Sequence, residues 1–368
     1  MPGIDRRHLE TFEWPLFSMA LALSVIGIVN LVSAAPEQVP GMPPTALRQL
    51  FMLGVGLAAM ALTLLVDYRV LGRLAGPVFV ATVALLIAVL VAGPVIKGAQ
   101  RWLVLGPLRI QPSELAKLGS VLIVARWLDR NAQQAEMRLS YLLPLALLVA
   151  VPVVLILQQP DLGTASLVAL IALSVLPVTG VPLRGFVGLA GAGLAAVAGA
   201  WLFYLRDYQK ERVFTFLDPS RDPLGAAYHA IQSQIAIGSG GLLGKGFGQG
   251  SQSQLDFLPE QQTDFVFSVL GEEWGFVGAG LVLLLYLGLL LRGLSIARSS
   301  KEPFGSYLAL AVVAMLFWPA AINAAMVLGL VPVVGVPLPF LSYGRSALLV
   351  SWIGIGLLMN VSMRRYLF

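Results

Sequence analysis

The chain has 368 residues, of which 58% are hydrophobic and only 12% are charged, with a formal net charge of +5 and no cysteine. Ordinary soluble domains contain about 45–50% apolar and about 25% charged residues, so this composition excludes a soluble globular enzyme, a disordered protein and a coiled coil. The lack of cysteine excludes disulfides, thiolate metal sites and cysteine nucleophiles. We therefore expect an all-α polytopic membrane protein, with residues 1–368 forming a single membrane domain.

Continuous apolar runs recur along the chain, and a bilayer core of about 30 Å needs about 20 such residues per helix. The runs do not alternate with polar residues, which favours helices over strands. The first run is longer than the apolar part of a signal peptide and is interpreted as a retained span. Ten transmembrane helices are predicted, at residues 14–35, 47–66, 70–93, 112–128, 140–158, 163–179, 184–205, 264–291, 304–330 and 343–362.

Basic residues predict the orientation of the spans, because cytoplasmic loops of membrane proteins are rich in Lys and Arg. This rule also explains the net positive charge without a nucleic-acid partner. With both termini in the cytoplasm, 13 of the chain's 24 basic residues fall on the cytoplasmic side, and five more lie in the long loop. The long polar and Gly-rich loop, residues 206–263 between spans seven and eight, is then extracytoplasmic and is a functional candidate because of its length.

Six basic residues remain on the outer side, where the rule does not expect them. They are Arg48, Lys97, Arg101, Arg109, Lys117 and Arg345. Snorkelling to the membrane interface explains any single one of them. An anionic ligand bound at the outer leaflet would explain the whole group.

Ionisable residues also mark the predicted starts of spans four and six. Glu114 and Lys117 follow Pro112 and are three residues apart, so they share one helix face. They either form an internal ion pair between helices or face a polar cavity or substrate path. Pro160 ends the fifth span, and Asp161 is placed to cap the next helix.

The Gly-rich segment Gly238–Gly250 suggests a nucleotide-binding loop but does not fit one. Ser239 stands where the phosphate-binding motif needs its first Gly, and Gly246 replaces the Ser or Thr that follows the Lys. A preceding strand is also missing. A nucleotide site is therefore excluded here.

A carboxylate pair precedes the eighth span. Pro259 can begin a helix, which would place Glu260 and Asp264 on one face. Acidic residues at a helix N-terminus are stabilised by the helix dipole, by about 0.3–1 kcal/mol. Alternatively Asp264, which directly precedes an apolar run and is partly desolvated, is a candidate general base. Glu272 and Glu273, deeper in the span, are expected to make internal hydrogen bonds or ion pairs.

The helical pattern breaks again in Val331–Gly344, which contains three prolines and two glycines. Such an irregular loop is tolerated at membrane depth only where protein or water covers it. It is therefore predicted to be a re-entrant or irregular loop at the outer end of span nine.

Together these segments resemble the SEDS family (shape, elongation, division and sporulation), most closely its RodA branch. The resemblance covers nearly the whole chain and rests on GAQRW, QPSELAK, QPDLGT, GGLLGKGFGQGSQSQ, FLPEQQTDF, GEEWGF and VPVVGVPLPFLSYG, in that order. Two departures are visible. Arg345 stands where a second Gly follows SYG, and Ala325 replaces the Gly of an N-x-G-M element. Both put local loop geometry in doubt more than activity.

The resemblance implies a peptidoglycan glycosyltransferase of the bacterial plasma membrane, active in cell elongation. Its substrate would be lipid II, a disaccharide-pentapeptide on undecaprenyl pyrophosphate, which it would polymerise into β-1,4-linked glycan on the outer face of the bilayer. A class B penicillin-binding protein would be its partner. The T-D-F element implies Asp264 as the catalytic residue, which would deprotonate the acceptor sugar hydroxyl.

Stabilisation of the departing pyrophosphate needs positive charge. Arg48, Arg101 and Lys117 are candidates, as is a divalent cation, Mg²⁺ or Mn²⁺, held by Asp264. The rest of the predicted substrate-binding set is Glu114, Asp161, Glu260 and Ser342. Two other functions stay open: a lipid II flippase, and a non-catalytic membrane scaffold that recruits the penicillin-binding protein.

Overall fold

The chain is mostly helical in a computed structural model that describes residues 12–35, 41–96, 98–106, 108–131, 139–180, 183–203, 205–222, 227–255, 257–258 and 260–364. The elements in chain order are α1 (Trp14–Ser33), α2 (Pro44–Leu65), α3 (Tyr68–Arg73), α4 (Ala75–Ala92), β1 (Leu103–Leu105), β2 (Leu108–Ile110), α5 (Pro112–Asn131), α6 (Leu139–Gln158), α7 (Leu162–Val175), α8 (Leu183–Phe203), α9 (Asp207–Leu217), α10 (Tyr228–Gly240), α11 (Ser251–Gln254), α12 (Val266–Ser299), α13 (Pro303–Val327) and α14 (Arg345–Arg364).

Each predicted span coincides with one of these helices, except 70–93, which α3 and α4 cover together. In the described part of the chain, seven helices are long and apolar enough to cross a membrane: α1, α2, α4, α7 with its 3₁₀ extension (Leu176–Thr179), α12, α13 and α14. The bent pair Val187–Phe203 and Asp207–Leu217, at 114°, would make an eighth. Helix α5 carries Glu114, Lys117 and further charges, which lower its apolarity. A polytopic helical membrane fold is thus confirmed, whereas the count of ten spans stays a prediction.

Local sequence signals explain several helix starts. Pro112 and Pro303 are the first residues of α5 and α13, where the missing proline N–H has no helical partner to lose. Asp161 caps α7 as predicted, since its Oδ1 accepts a hydrogen bond from the Thr164 amide at 3.2 Å.

Two features differ from the expected pattern of apolar helices and polar loops. A short antiparallel hairpin, β1–β2, lies between α4 and α5, with Val104 opposite Arg109. It was not predicted, because three-residue strands are too short for their alternation to show. The predicted loop 206–263 also contains helices, α9, α10 and α11.

The core is centred on α14, most of whose residues are buried. Its Trp352 is fully buried and contacts the ring of Phe17 on α1 and that of Phe340, with centroids 5.9 and 5.8 Å apart. Rings packed edge-on in this way add about 0.5–1.5 kcal/mol to the burial of their area. This contact joins α1 to the segment that precedes α14.

Polar side chains tie the helices together near the C-terminal end of α14. The Asn360 amide donates to the carbonyls of Thr63 and Val66, each at 2.6 Å. Glu13 accepts from Arg292 at 2.9 Å and from Ser362 at 2.6 Å. Buried polar groups are stable only when paired in this way, so these bonds fix the end of the bundle that lies opposite the candidate site.

Candidate active site

The N-termini of several long helices meet at one end of the bundle, around residues 328–344. On α2, Gln49 donates to the Ser342 carbonyl at 3.0 Å. At the start of α5, the Gln111 amide donates to Ser346 Oγ of α14 at 3.1 Å. The Gln111 side chain also lies 3.4 Å from Asp161 Oδ2, at the start of α7. Each helix N-terminus carries roughly half a positive charge, so the starts of α2, α5, α7 and α14 are local positions that favour an anion.

Residues 328–344 form no helix, as predicted for Val331–Gly344, and we call them the 328–344 loop. Protein covers much of it, because Val336, Leu338 and Leu341 are buried. The Leu338 amide donates to Ser342 Oγ at 2.8 Å. Ser342 therefore braces the loop from within, while its assignment to substrate binding stays a prediction.

Asp264 lies in a turn that ends just before α12. The amides of Thr263, Asp264 and Phe265 all donate to the Glu260 carbonyl, at 3.1, 3.1 and 3.3 Å. Glu260 itself adopts a φ of 53°, which helices do not allow. The helix thus begins at Val266, so the prediction that Glu260 and Asp264 share a helix face is wrong. The proposed first residue, Pro259, lies outside the described residues.

The backbone of Asp264 is bound directly to the 328–344 loop. The buried Asn323 side chain on α13 donates to the carbonyls of Asp264 and Val336, each at 2.8 Å. The partly exposed carboxylate of Asp264 faces Gly335, where an added Cβ would lie 3.3 Å from Oδ2. The carboxylate therefore points at this loop, and a larger residue at position 335 would narrow the space beside it.

Glu114 and Lys117 form a buried ion pair, one of the two interpretations that the sequence left open. Lys117 Nζ lies 2.8 Å from Glu114 Oε2, and their side chains are only 6% and 3% exposed. In a pair so well shielded from water, removing one partner leaves the other charge buried and uncompensated, which destabilises the fold. Whether either residue also binds substrate stays a prediction.

The other outer cations differ in what they contact. Arg101 donates from Nε to the Gln159 carbonyl at 3.1 Å and from Nη2 to the Pro160 carbonyl, so it holds the end of α6. Within the described ranges, the side chains of Arg48, Arg109 and Arg345 have no hydrogen-bond or ion-pair partner, and Arg48 and Arg109 are exposed. Lys97 lies outside those ranges.

The buried acids of α12 hold the Gly-rich segment. Lys245 Nζ lies 2.6 Å from Glu272 Oε1, and the Gln252 amide donates to the same oxygen at 3.0 Å. Glu273 accepts from Ser33 Oγ at 2.5 Å. The prediction of internal hydrogen bonds and ion pairs for Glu272 and Glu273 is confirmed.

The residues around Asp264 do not fit a resident metal. In the part of the chain that the structure describes, no three Asp, Glu or His side chains come together, whereas hard divalent cations need several oxygen ligands. A cation shared between Asp264 and a substrate pyrophosphate stays a prediction.

Two polar residues near Asp264 were not identified as site residues from the sequence. Asn323 is the Asn of the N-x-G-M element in which Ala325 replaces Gly, and an amide within an apolar helix is itself a functional signal. His229, near the start of α10, lies against Phe265, with ring centroids 6.0 Å apart and 13° between the planes. Its Nδ1 is buried without a hydrogen-bond partner. A single His in a polar segment carries no signal that predicts this contact.

His229 is expected to make the fold sensitive to acid. Burial lowers the pKa of this imidazole below its usual value of 6.5, and the positive charge of Arg212 nearby lowers it further. The negative charge of Glu260 raises the pKa but does not outweigh these two effects. Below pH 6.5 the unfolded chain therefore binds more protons than the folded one, so stability falls as pH falls through this window. H229Q removes the titrating group and should show a smaller loss of thermal stability between pH about 7.5 and about 5.5. An unchanged loss in H229Q would assign the acid sensitivity to other groups.

Comparison with known proteins identifies the family. The model of the FtsW, RodA and SpoVE family, described as cell cycle proteins, matches residues 13–367. The chain belongs to this family. The resemblance to SEDS proteins drawn from the motifs is thereby confirmed.

Several proteins similar to this chain are named as peptidoglycan glycosyltransferases or RodA proteins. It is 42% identical to the peptidoglycan glycosyltransferase MrdB of Escherichia coli K12 over 362 residues, which cover 98% of this chain and 95% of that protein. Its fold matches a chain from a structure on the coordination of polymerization and crosslinking by a peptidoglycan synthase complex, with a TM-score of 0.81 and 38% identity. It also matches the rod shape determining protein RodA of Thermus thermophilus, with a TM-score of 0.72 and 35% identity. Each match covers 96% of this chain and 98% of the other.

Proposed function

We propose that this family member is a peptidoglycan glycosyltransferase that polymerises lipid II into glycan strands during cell elongation. The observation that carries the proposal is the position of Asp264. Its carboxylate lies in the turn before α12, against the 328–344 loop, where the N-termini of other helices also meet. A carboxylate is a base, and the helix N-termini nearby are positions that favour an anion such as pyrophosphate.

In the proposed reaction, Asp264 takes the proton from the 4-hydroxyl of the acceptor sugar as that oxygen attacks the anomeric carbon of the donor. The bond from this carbon to the pyrophosphate breaks, and the pyrophosphate leaves with the electron pair. A single displacement inverts the α-linked donor into a β-1,4 linkage, so no covalent enzyme intermediate is needed. Asn323 positions the base, because it holds the Asp264 backbone at 2.8 Å.

Positive charge at this end of the bundle would stabilise the departing pyrophosphate. Arg48 on α2 and Arg345 at the start of α14 have no protein partner among the described residues, so both are available to a ligand. Arg101 and Lys117 already contact protein groups and would act mainly by holding helix ends. Asp161 and Ser342 would shape the site from within α7 and the 328–344 loop, with Glu260 at its exposed rim.

The proposal includes the topology of the chain in the membrane and the side on which the site lies. We place both termini in the cytoplasm, ten spans in the plasma membrane, and Asp264 on the extracytoplasmic side, following the distribution of basic residues. Lipid II would reach the site from the outer leaflet. A class B penicillin-binding protein would cross-link the product, in line with the polymerization and crosslinking complex that this chain is similar to.

The purified protein, reconstituted in liposomes with lipid II, tests the proposal. Gel analysis should detect glycan polymer, with and without the penicillin-binding protein, while a parallel assay follows movement of lipid II across the bilayer. Polymer supports the transferase. Rapid movement of lipid II without polymer would instead support a flippase, and neither activity would support a scaffold.

A further inference from the structure

Helix α12 is broken near its start, and the break divides it into two parts. Gly275 adopts φ 65° and ψ −164°, which interrupts the helix between residues 266–274 and 276–299. At a rise of about 1.5 Å per residue, residues 276–299 extend about 36 Å. That length by itself crosses a hydrocarbon core of about 30 Å. If residues 276–299 are the part of α12 that crosses the bilayer, Phe276 and Val277 lie at the membrane edge that is nearer to Asp264.

The break is filled by the start of the Gly-rich segment, residues 241–247, which we call the 241–247 loop. The amides of Phe276 and Val277 donate to the carbonyls of Gly241 and Leu242, at 2.9 and 3.1 Å. In the other direction, the amides of Lys245 and Gly246 donate to the carbonyls of Glu272 and Glu273, each at 3.0 Å. The loop thus satisfies backbone groups that the broken helix leaves unpaired.

Glycine is required where the loop meets the helix. Gly244 has a φ of 80°, and a Cβ built on it would lie 2.1 Å from the Glu273 carbonyl oxygen. A Cβ on Gly275 would lie 2.3 Å from the Gly244 nitrogen. Because the two backbones are in contact, the height of the loop relative to the membrane is set by α12.

The outer side of this loop is apolar and exposed. Leu242 and Leu243 are 73% and 81% exposed, next to Phe276 at 73% and Val277 at 58%. These residues continue a stripe of exposed apolar side chains along α12, at helical spacing: Phe276, Val277, Leu281, Leu284, Leu287 and Leu291. In a helix that spans a bilayer, such a stripe faces lipid. The inner side of the loop is polar, since Lys245 pairs with Glu272 there.

We propose that Leu242 and Leu243 insert into the lipid leaflet on the side of Asp264 and anchor the 241–247 loop at the depth of the headgroups. The occupant of this surface is the outer part of the lipid leaflet, where the headgroups meet the acyl chains, because the two leucines extend the lipid-facing stripe of α12 by direct backbone contact. Solvent-exposed leucines at the end of such a stripe are otherwise unfavourable.

The anchor is connected to the candidate site through α10, which ends at Gly240 directly before the loop. Ser233 of α10 bonds to Ser268 Oγ on α12 at 2.8 Å and to the Val327 carbonyl of α13 at 2.7 Å. The anchored loop would therefore help α12 to hold Asp264 at a fixed height relative to the headgroups. This second step rests on the proposed function, because a fixed height matters for a substrate whose pyrophosphate lies at the headgroups.

Fluorescence measured in lipid nanodiscs tests the insertion without using activity, so its failure is separate from failure of the proposed function. The chain has no cysteine, so L243C can be labelled alone with an environment-sensitive nitrobenzoxadiazole dye. We expect blue-shifted emission and stronger quenching by a nitroxide near the headgroup than by one deep in the acyl chains. L284C, exposed farther along α12, should show the opposite order of quenching, and S220C, in an exposed polar turn, should show little quenching by either.

Water-like emission from labelled L243C, with no quenching by either nitroxide, would overturn the proposal. Shielding of the label from water only after a penicillin-binding protein is added would also overturn the proposal, since the surface would then bind protein rather than lipid. The variant L242S/L243C should fold like L243C, because the hydrogen bonds of the loop are made by its backbone. With one leucine of the anchor removed, its label should be quenched less by either nitroxide, and an unchanged depth would contradict the role of Leu242 in the anchor.

Discussion

D264N is expected to abolish glycan polymerisation by the purified protein while leaving its fold intact. General-base catalysis contributes about 10²–10⁴-fold, and the Asn amide cannot accept the proton. The fold should survive, because Asn323 binds the backbone carbonyl of residue 264, which the substitution keeps. The measurement is the rate of polymer formation from lipid II, alongside thermal unfolding of the same preparation.

Two matched carboxylate variants serve as controls. E260Q changes an exposed side chain whose Oε2 lies 3.2 Å from Thr263 Oγ1 in the same turn, and it should reduce the rate less than D264N. E211Q changes an exposed carboxylate on α9 and should leave the rate unchanged. Normal polymer formation by a folded D264N protein would remove Asp264 from the role of base.

K117M is expected to lower the stability of the fold by about 3–5 kcal/mol, because it leaves the Glu114 carboxylate charged and buried without its partner. E114Q leaves the ammonium group of Lys117 without its partner and should also destabilise. The double variant E114Q/K117M contains no buried charge at this position and should regain most of the lost stability. Thermal or denaturant unfolding in detergent measures all three.

The same variants separate a structural role from binding of substrate. If Lys117 only pairs with Glu114, the double variant should regain polymerisation together with stability. If Lys117 also binds pyrophosphate, the double variant should be stable yet slow, with a loss of roughly 10–150-fold for one charge-assisted bond of about 1.5–3 kcal/mol. Full stability of the single variant K117M would contradict the buried ion pair.

Helix positions were predictable from the sequence because continuous apolar runs are a local signal that few folds other than membrane helices produce. The start of α7 was predictable from local sequence too, since Pro160 ends one helix and Asp161 caps the next. The start of α12 was not predictable from local sequence. The turn at Glu260 depends on partners far away in the chain, such as the Tyr343 amide, which donates to the Gln262 carbonyl at 2.8 Å.

The candidate site was predictable in its residue types and less so in their contacts. Asp264 was selected from its place before an apolar run and from a family motif. The partners of Arg101, by contrast, are backbone carbonyls at the end of α6, which no pattern of side chains in the sequence predicts. The same holds for Glu273 and Ser33, which are 240 positions apart in the chain. Pairings of this kind follow from helix packing, which a single sequence does not encode as a repeating pattern.

The two hydrogen bonds of Asn323 have a mechanical consequence. One amide group holds both the Asp264 carbonyl and the Val336 carbonyl at 2.8 Å. Any outward movement of the 328–344 loop must therefore either break one of these bonds or carry the base away with it. If both bonds hold, opening of the site for a growing sugar chain would move Asp264 out of alignment, and water entering the open site would meet no base positioned to cleave the lipid-linked donor.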